Sequence, residues 1–301
     1  MDTPSSLGLA LTSLRITFVA TTVLAVSLCA AHEAAADTYA LIVSGASGGP
    51  AYATKYDGWR TSLVSTLTEK FGYSSDHVLS LSEATREQVQ RAFSSLRDRL
   101  AKDDVLFVAL IGHGSDEKFN LVGPDMNAAE WASQLKSIAG RVVFVDMSSS
   151  SFPFFRQLAA PGRIVITAAE SDAQQFETVF PQYFIEALTD ASADTDKDGR
   201  VSIFEAFQYA SASVRTWFDQ HNQLPTERAR IDDEALARVT FLQPRAAGAS
   251  DAVARRQAEL EAAIANLKAR QSSMTPAAYE TELERLLVEL ARLSRPRVPG
   301  P

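Results

Sequence analysis

Cysteine is all but missing: Cys29 is the only one in 301 residues, and it lies inside an apolar run near the amino end. A chain that starts beyond this run has no thiol, no disulfide and no thiolate-bound metal. Basic charge is also short, with 29 Lys and Arg against 37 Asp and Glu and a formal net charge of -8. Without a basic surplus to displace counterions, the composition excludes a phosphate-backbone binder, so nucleic acid is not an expected partner. Histidine is scarce as well. His77 precedes an apolar run and His221 sits in FDQHNQ; neither has a second ligand type at metal spacing, so both read as structural or solvated.

Long hydrophobic runs are lacking too. Residues 16–31, ITFVATTVLAVSLCAA, fall short of the roughly 20 residues that span a bilayer. Arg15 before this run and Ala34-Ala35-Ala36 after it form the pattern of an export signal cleaved before Asp37. The expectation is a signal peptide over 1–36 and a secreted or periplasmic mature protein. A retained anchor is the alternative. Lipid attachment at Cys29 is a third reading, disfavoured by the bulky Leu28.

The full chain is 46% hydrophobic and 22% charged, enough for one large domain with a smaller appendage. From Tyr39 onward, short β-rich runs alternate with stretches of helical length, the pattern of a mainly parallel sheet with helices on its faces. Strands are expected at Tyr39–Ser44, His77–Leu81, Val105–Ile111, Arg141–Asp146 and Arg163–Thr167. Helices are expected at Lys55–Phe71, from an N-cap at Thr85 to about Ala101, and at Ala128–Ile138. In open parallel sheets ligands sit at the carboxyl ends of strands, which directs attention to the loops after Ile111, Asp146 and Thr167.

The main domain is expected over 37–245 and a linker with a second element over 246–301. After the Pro244–Ser250 linker the composition turns to Ala, Glu, Arg and Leu. Val253, Leu260, Ile264 and Leu267, then Tyr279, Leu283, Leu286, Leu290 and Leu293, follow steps of three and four after a Thr275-Pro276 start. This predicts a helical hairpin or short coiled coil, folded on itself or serving as an arm for self-association.

The most complete local motif is DTDKDGRVSIFE over 194–205. Asp194, Asp196 and Asp198 stand at loop positions one, three and five, Gly199 at the sharp turn, Arg200 at the backbone-carbonyl position, Ser202 at nine and Glu205 at the bidentate twelfth. Calcium wants several hard oxygens at once, and this spacing wraps them around one point. The expectation is an EF-hand loop holding one structural Ca2+ between the flanking FIEAL and IFEAFQYA stretches.

The third strand runs into Gly112-His113-Gly114-Ser115, and the fourth into Asp146-Met147-Ser148-Ser149-Ser150-Ser151. A hydrophobic strand ending in His-Gly-Ser, then one ending in an acidic residue, a small or apolar residue and a nucleophile position, resembles the legumain-type cysteine peptidases of the caspase-like fold. The resemblance covers about Tyr39 to Leu242. It implies a three-layer α/β domain in which His113 matches the base, Gly114 the oxyanion donor and Ser148 the place of the nucleophilic cysteine. Two positions depart from the family pattern: Ser148 replaces cysteine, and Ser47 in SGASGG stands where such enzymes carry asparagine.

A serine needs a well-placed base to become nucleophilic at all, whereas a few per cent of a thiol is already thiolate at neutral pH. Three functions follow as expectations. The first is an inactive peptidase homologue whose cleft binds a peptide or protein. The second is a serine hydrolase using Ser148 and His113, with Asp146, Asp116 or Ser47 as orienting partner. The third is a scaffold acting through the C-terminal helices. Glu170, Asp172 and Glu177, after the fifth strand, are either pocket residues for a basic or hydrogen-bonding group or a solvated loop.

Overall fold

Four of the five apolar runs form strands that are buried from their second residue onward, because helices cover the sheet above and below. The computed structural model describes residues 36–115, 117–171, 173–244, 256, 259–260, 263–264, 266–268, 270–271 and 274–294. The signal-like segment with Cys29, together with Asp116, Asp172, most of the linker and Val253, lies outside the described residues. The strands are β1 (Thr38–Ser44), β2 (Val78–Leu81), β3 (Val105–Ile111), β4 (Gly114–Ser115), β5 (Lys118–Phe119), β6 (Met126–Asn127), β7 (Arg141–Asp146), β8 (Arg163–Thr167) and β9 (Arg230–Ile231). The helices are α1 (Pro50–Ser65), α2 (Arg86–Arg99), α3 (Ala128–Leu135), α4 (Phe152–Leu158), α5 (Phe180–Ala187), α6 (Ile203–Gln220), α7 (Glu234–Arg238) and α8 (Pro276–Ser294).

The result is a mixed α/β fold around a mostly parallel six-stranded sheet in the order β2-β1-β3-β7-β8-β9. Only β9 runs antiparallel, against the end of β8. Side chains alternate across the sheet. Ala40, Ile42, Phe107, Ala109, Val143 and Val145 enter one core layer with α1, α5 and α6. Leu41, Val43, Leu106, Val108, Val142 and Phe144 enter the other with α2, α3 and α4. Trp131 of α3 centres this second layer, edge-on to Phe93, Phe119 and Phe144 at ring separations of 5.9, 6.0 and 5.9 Å.

Helix starts follow local chemistry. Thr85 caps α2 in a capping box closed by Gln88, one residue beyond Glu87, and Asn127 caps α3 in a box with Glu130. The first helix begins at Pro50, five residues before the expected Lys55, because proline takes the first helical position after Gly48-Gly49. Its opening turn is mostly solvent-exposed and so carries no apolar periodicity. The third helix ends at Leu135, short of Ile138.

At the carboxyl end, Leu260, Ile264 and Leu267 bury together with Leu286 of α8, flanked by Tyr279, Leu283 and Leu290. Arg256 pairs with Glu289 at 2.6 Å across this cluster. The apolar faces of the two segments thus cover each other, while Leu287 and Val288 point outward. Among the described residues, no helix is long and apolar enough to cross a membrane.

Candidate functional site

The carboxyl ends of β3 and β7, adjacent and parallel, carry the two segments that the sequence singles out. His113 follows β3 and is half-buried. Its ring faces the hydroxyl of Tyr56, whose oxygen lies 3.0 Å from Nε2 and 3.3 Å from Nδ1. Tyr52, one turn earlier on α1, meets the same imidazole edge-on at 4.8 Å. Burial pushes the buried Tyr56 phenol far above its ordinary range, with Glu177 adding to the shift. It therefore stays protonated and acts as a hydrogen-bonding group.

Ser148 points elsewhere. Its hydroxyl donates to Asp146 Oδ1 at 2.6 Å, and its backbone N–H donates to the same oxygen at 3.0 Å. Both residues are 0% exposed. Burial lifts the Asp146 carboxyl to about 7, against the opposing pull of the Ser148 bonds, and Oδ2 has no hydrogen-bond partner in the structure. Among the described residues no hydrogen bond joins Ser148 to His113. Of the proposed orienting partners, Asp146 holds the serine instead of the imidazole. Ser47 is buried, with its N–H on Glu83 Oε1 at 3.3 Å.

The remaining serines are buried rather than forming a solvated turn, and each has a fixed task. Ser149 Oγ accepts from Gly114 N–H at 3.2 Å and donates to the Gly114 carbonyl at 3.3 Å. Ser150 adopts a left-handed φ of 55° and donates its N–H to the Gln174 carbonyl at 2.9 Å. Ser151 Oγ accepts from Ala169 N–H at 3.1 Å. These four hydrogen bonds tie the turn after β7 to β4 and to the loop after β8.

Gly114 is required by this closeness. A β-carbon there would stand 2.1 Å from the Ser149 carbonyl oxygen and 3.1 Å from Lys118 O and Ser148 Oγ. Gly114→Ala is expected to destabilise the chain by about 2–3 kcal/mol through backbone displacement. A urea melt showing an unchanged midpoint would contradict the packing described here.

The loop after β8 holds Glu170 and Glu177 in weak ion pairs, with Arg228 at 3.3 Å and Lys55 at 2.9 Å. Next to it, Glu227 is buried and accepts from Val179 and Phe180 N–H, both at 2.8 Å, at the start of α5. Neither Tyr56 nor Glu227 stands out in the sequence reading. Tyr52 and Tyr56 at i and i+4 offered a signal, since that spacing stacks them on one helical face. Glu227 in LPTERAR offered none.

The DTDKDGRVSIFE segment lies at the opposite end of the sheet, against the start of β7. Its exit segment bridges Ser202 to Phe241, Thr240 Oγ1 accepts from Arg141 at the start of β7, and the Leu242 carbonyl accepts from Tyr73. Asp194, Asp196 and Asp198 bring carboxylate oxygens within 4.8 Å of one another, a group that could hold a metal ion. Gly199 turns with φ +90°. Burial, with mutual repulsion among the acids, raises the carboxyls of Asp196 and Asp198.

Glu205 stands outside that trio. Its Oε1 accepts from Thr195 N–H and hydroxyl, both at 2.8 Å, and from Asp196 N–H at 3.3 Å. Its Oε2 accepts from Ser202 N–H and hydroxyl at 2.9 Å. These bonds outweigh burial and hold the carboxyl below its ordinary range. Ser202 is at once loop position nine and the N-cap of α6, and Arg200 lies over the Phe241 ring at 3.7 Å. α6 leaves the loop directly, whereas α5 ends at Ala187, before a turn over 188–193. The donor set is all oxygen and fits a hard divalent cation.

His77 stacks on Tyr39 at 4.1 Å, and His221 stacks on Trp217 at 4.1 Å with Nδ1 2.7 Å from its carbonyl oxygen. Both histidines are occupied by these contacts.

No protein-family model and no curated protein matches the chain. Among solved structures it is similar to protein GSU0716 from Geobacter sulfurreducens, at 14% identity and a TM-score of 0.44, over 70% of this chain and 98% of that one. That likeness is too distant to bear on function.

Proposed function

We propose that the chain is an exported, catalytically inactive homologue of the legumain-type peptidases, with a caspase-like domain that binds a peptide or protein ligand at the carboxyl end of its sheet and a structural Ca2+ at the other end. The observation that carries this reading is the state of the would-be machinery. The Ser148 hydroxyl is buried and bonded to Asp146, the Ser148 N–H is bonded to the same carboxyl, and the Gly114 N–H is bonded to Ser149. A nucleophile and two oxyanion donors all spent on internal partners leave nothing to attack or stabilise a carbonyl.

The parallel order of β1, β3, β7 and β8, with His113 and Ser148 after neighbouring central strands, supports the kinship. Calcium would be held by Asp194, Asp196 and Asp198 with Glu205, the Arg200 carbonyl and the Ser202 side. Bound there it would supply cross-linking charge, because the loop contacts the start of β7 through Thr240, whereas His113 follows the end of β3.

Purified protein is expected to leave peptide libraries uncut and to take no fluorophosphonate label. Labelling abolished by Ser148→Ala, or peptide cleavage lost in His113→Ala, would overturn the inactive reading.

A further inference from the structure

A cavity of about 240 Å³ opens beside the loop after β8, between the start of α5 and the middle of α6. It lies at the same end of the sheet as His113, since Glu227 and Ala229 lead into β9, which pairs with the last residues of β8. Two features of its wall call for a ligand. Glu227 is 4% exposed and has no ion-pair partner among the described residues. The Ser211 hydroxyl, on α6, is a buried polar group with no hydrogen-bond partner.

Buried acids are normally paired, and buried hydroxyls are normally bonded. A group that donates hydrogen bonds and carries positive charge would satisfy both. Phe180 and Val214, both buried, give the cavity apolar flanks, which suit an alkyl stem. At the rim stand Arg215 and Arg228. Arg228 is engaged by Glu170 in an exposed pair, while Arg215 is exposed and makes no ion pair among the described residues. A rim of guanidinium groups suits a carboxylate.

We propose that this cavity is a binding site for an alkyl ammonium bearing a carboxylate at its other end, the chemistry of a free lysine or of a peptide that ends in lysine. The ammonium meets Glu227 and Ser211, the methylenes lie on Phe180 and Val214, and the carboxylate stays at Arg215 and Arg228. This site is separate from the His113–Ser148 turn, although the loop after β8 borders both: Thr178 donates its hydroxyl to the Met147 carbonyl at 2.6 Å, and the Gln174 carbonyl accepts from Ser150 N–H at 2.9 Å. It does not depend on the peptidase kinship.

The test is calorimetry on the full chain, about one pH unit above 7 so that Glu227 is ionised, with 6-aminohexanoate as probe and hexylamine and hexanoate as its halves. Saturable one-site binding of 6-aminohexanoate is expected, tighter than either half. Arg215→Gln should weaken 6-aminohexanoate about tenfold and leave hexylamine within about twofold. Glu227→Gln should weaken both about tenfold.

Because Glu227→Gln also removes an acceptor from the start of α5, Ser211→Val serves as a second variant. It removes the unpartnered hydroxyl and leaves the Glu227 bonds to Val179 and Phe180 in place, and should weaken 6-aminohexanoate and hexylamine about tenfold while the melting temperature holds. Lysine against a lysine-ended peptide separates the two sources by which binds more tightly. No saturable heat at about 10 mM probe, or variants that bind like the parent, would overturn the proposal.

Discussion

Replacing Asp146 with asparagine is expected to flatten the dependence of unfolding free energy on pH. In the folded protein this wholly buried carboxyl is raised to about 7, chiefly by burial, whereas in an unfolded chain it titrates near about 4. Between those values the folded state keeps a proton that the unfolded state has lost. Each pH unit gained there removes about 1.4 kcal/mol of stability. The contribution is intact below about pH 4 and is lost by the time pH has risen through about 7.

Against a total stability of roughly 5–15 kcal/mol, a loss summing to a few kcal/mol is large. Glu227 acts in the same direction: burial raises it to about 7, while the Val179 and Phe180 amides and Lys55 oppose the shift and Glu177 adds to it. Wild-type protein should therefore be markedly more stable near about pH 5 than near about pH 8. Asp146→Asn keeps an acceptor for the Ser148 N–H and hydroxyl but replaces the one unpartnered O–H of the neutral acid by two unpartnered amide N–H groups, at about 1–3 kcal/mol. The variant should be less stable than wild type in acid and approach it in base. Urea melts across this range check the slope; parallel curves for the two proteins would show that Asp146 is not held as the neutral acid.

The same residue shows where sequence reading reaches its limit. Strands β3, β7 and β8 were legible to the residue, because continuous β-branched and apolar runs bounded by Gly, Asp or Ser leave a doubly covered strand as the natural reading. Thr85 announced its helix by a side chain that acts within four residues. The hydrogen-bonding direction of Ser148 was not legible. A DMSSSS turn is compatible with a solvated loop, a nucleophile or a buried network, and only the approach of Gly114 and Gln174 from distant segments selects the third. β9 and Glu227 escaped for a related reason. Two residues carry no period, and a glutamate is buried here because two helix-start amides and a strand edge converge on it.

The two candidate regions also differ in how the fold assembles them. The calcium motif is contiguous, so spacing alone brings Asp194, Asp196 and Asp198 together. The His113 region is assembled from β3, β7, α1 and the loop after β8, so its partners, Tyr56 above all, emerge only once those elements are packed. Placement at opposite sheet ends separates their roles: an ion in the 194–205 loop would stiffen α6 and, through Thr240, the start of β7, away from the imidazole.

Calcium is accordingly expected to change stability rather than any cleft property. The three carboxylates crowd one another, and Glu205 accepts from the amides of Thr195, Asp196 and Ser202. The ion would draw these oxygens inward and replace repulsion by attraction. At calcium about 100-fold above its dissociation constant, linkage adds about 2.7 kcal/mol, which corresponds to a rise of roughly 5–10 °C in melting temperature for a domain of this size. Extracellular calcium modules bind weakly, so the titration extends to about millimolar calcium. Asp196→Asn is the cleaner variant than Glu205→Gln, because Glu205 also closes the capping box of α6. Removing one of the crowded acids should leave the calcium-free protein as stable as wild type or slightly more so, while the calcium-induced rise disappears. Magnesium, which demands a tighter octahedron and holds its waters, should produce little of the effect. Scanning calorimetry with chelator, calcium and magnesium checks all three; a melting temperature indifferent to calcium in the wild-type chain would leave DTDKDGRVSIFE as an acidic turn that needs no ion.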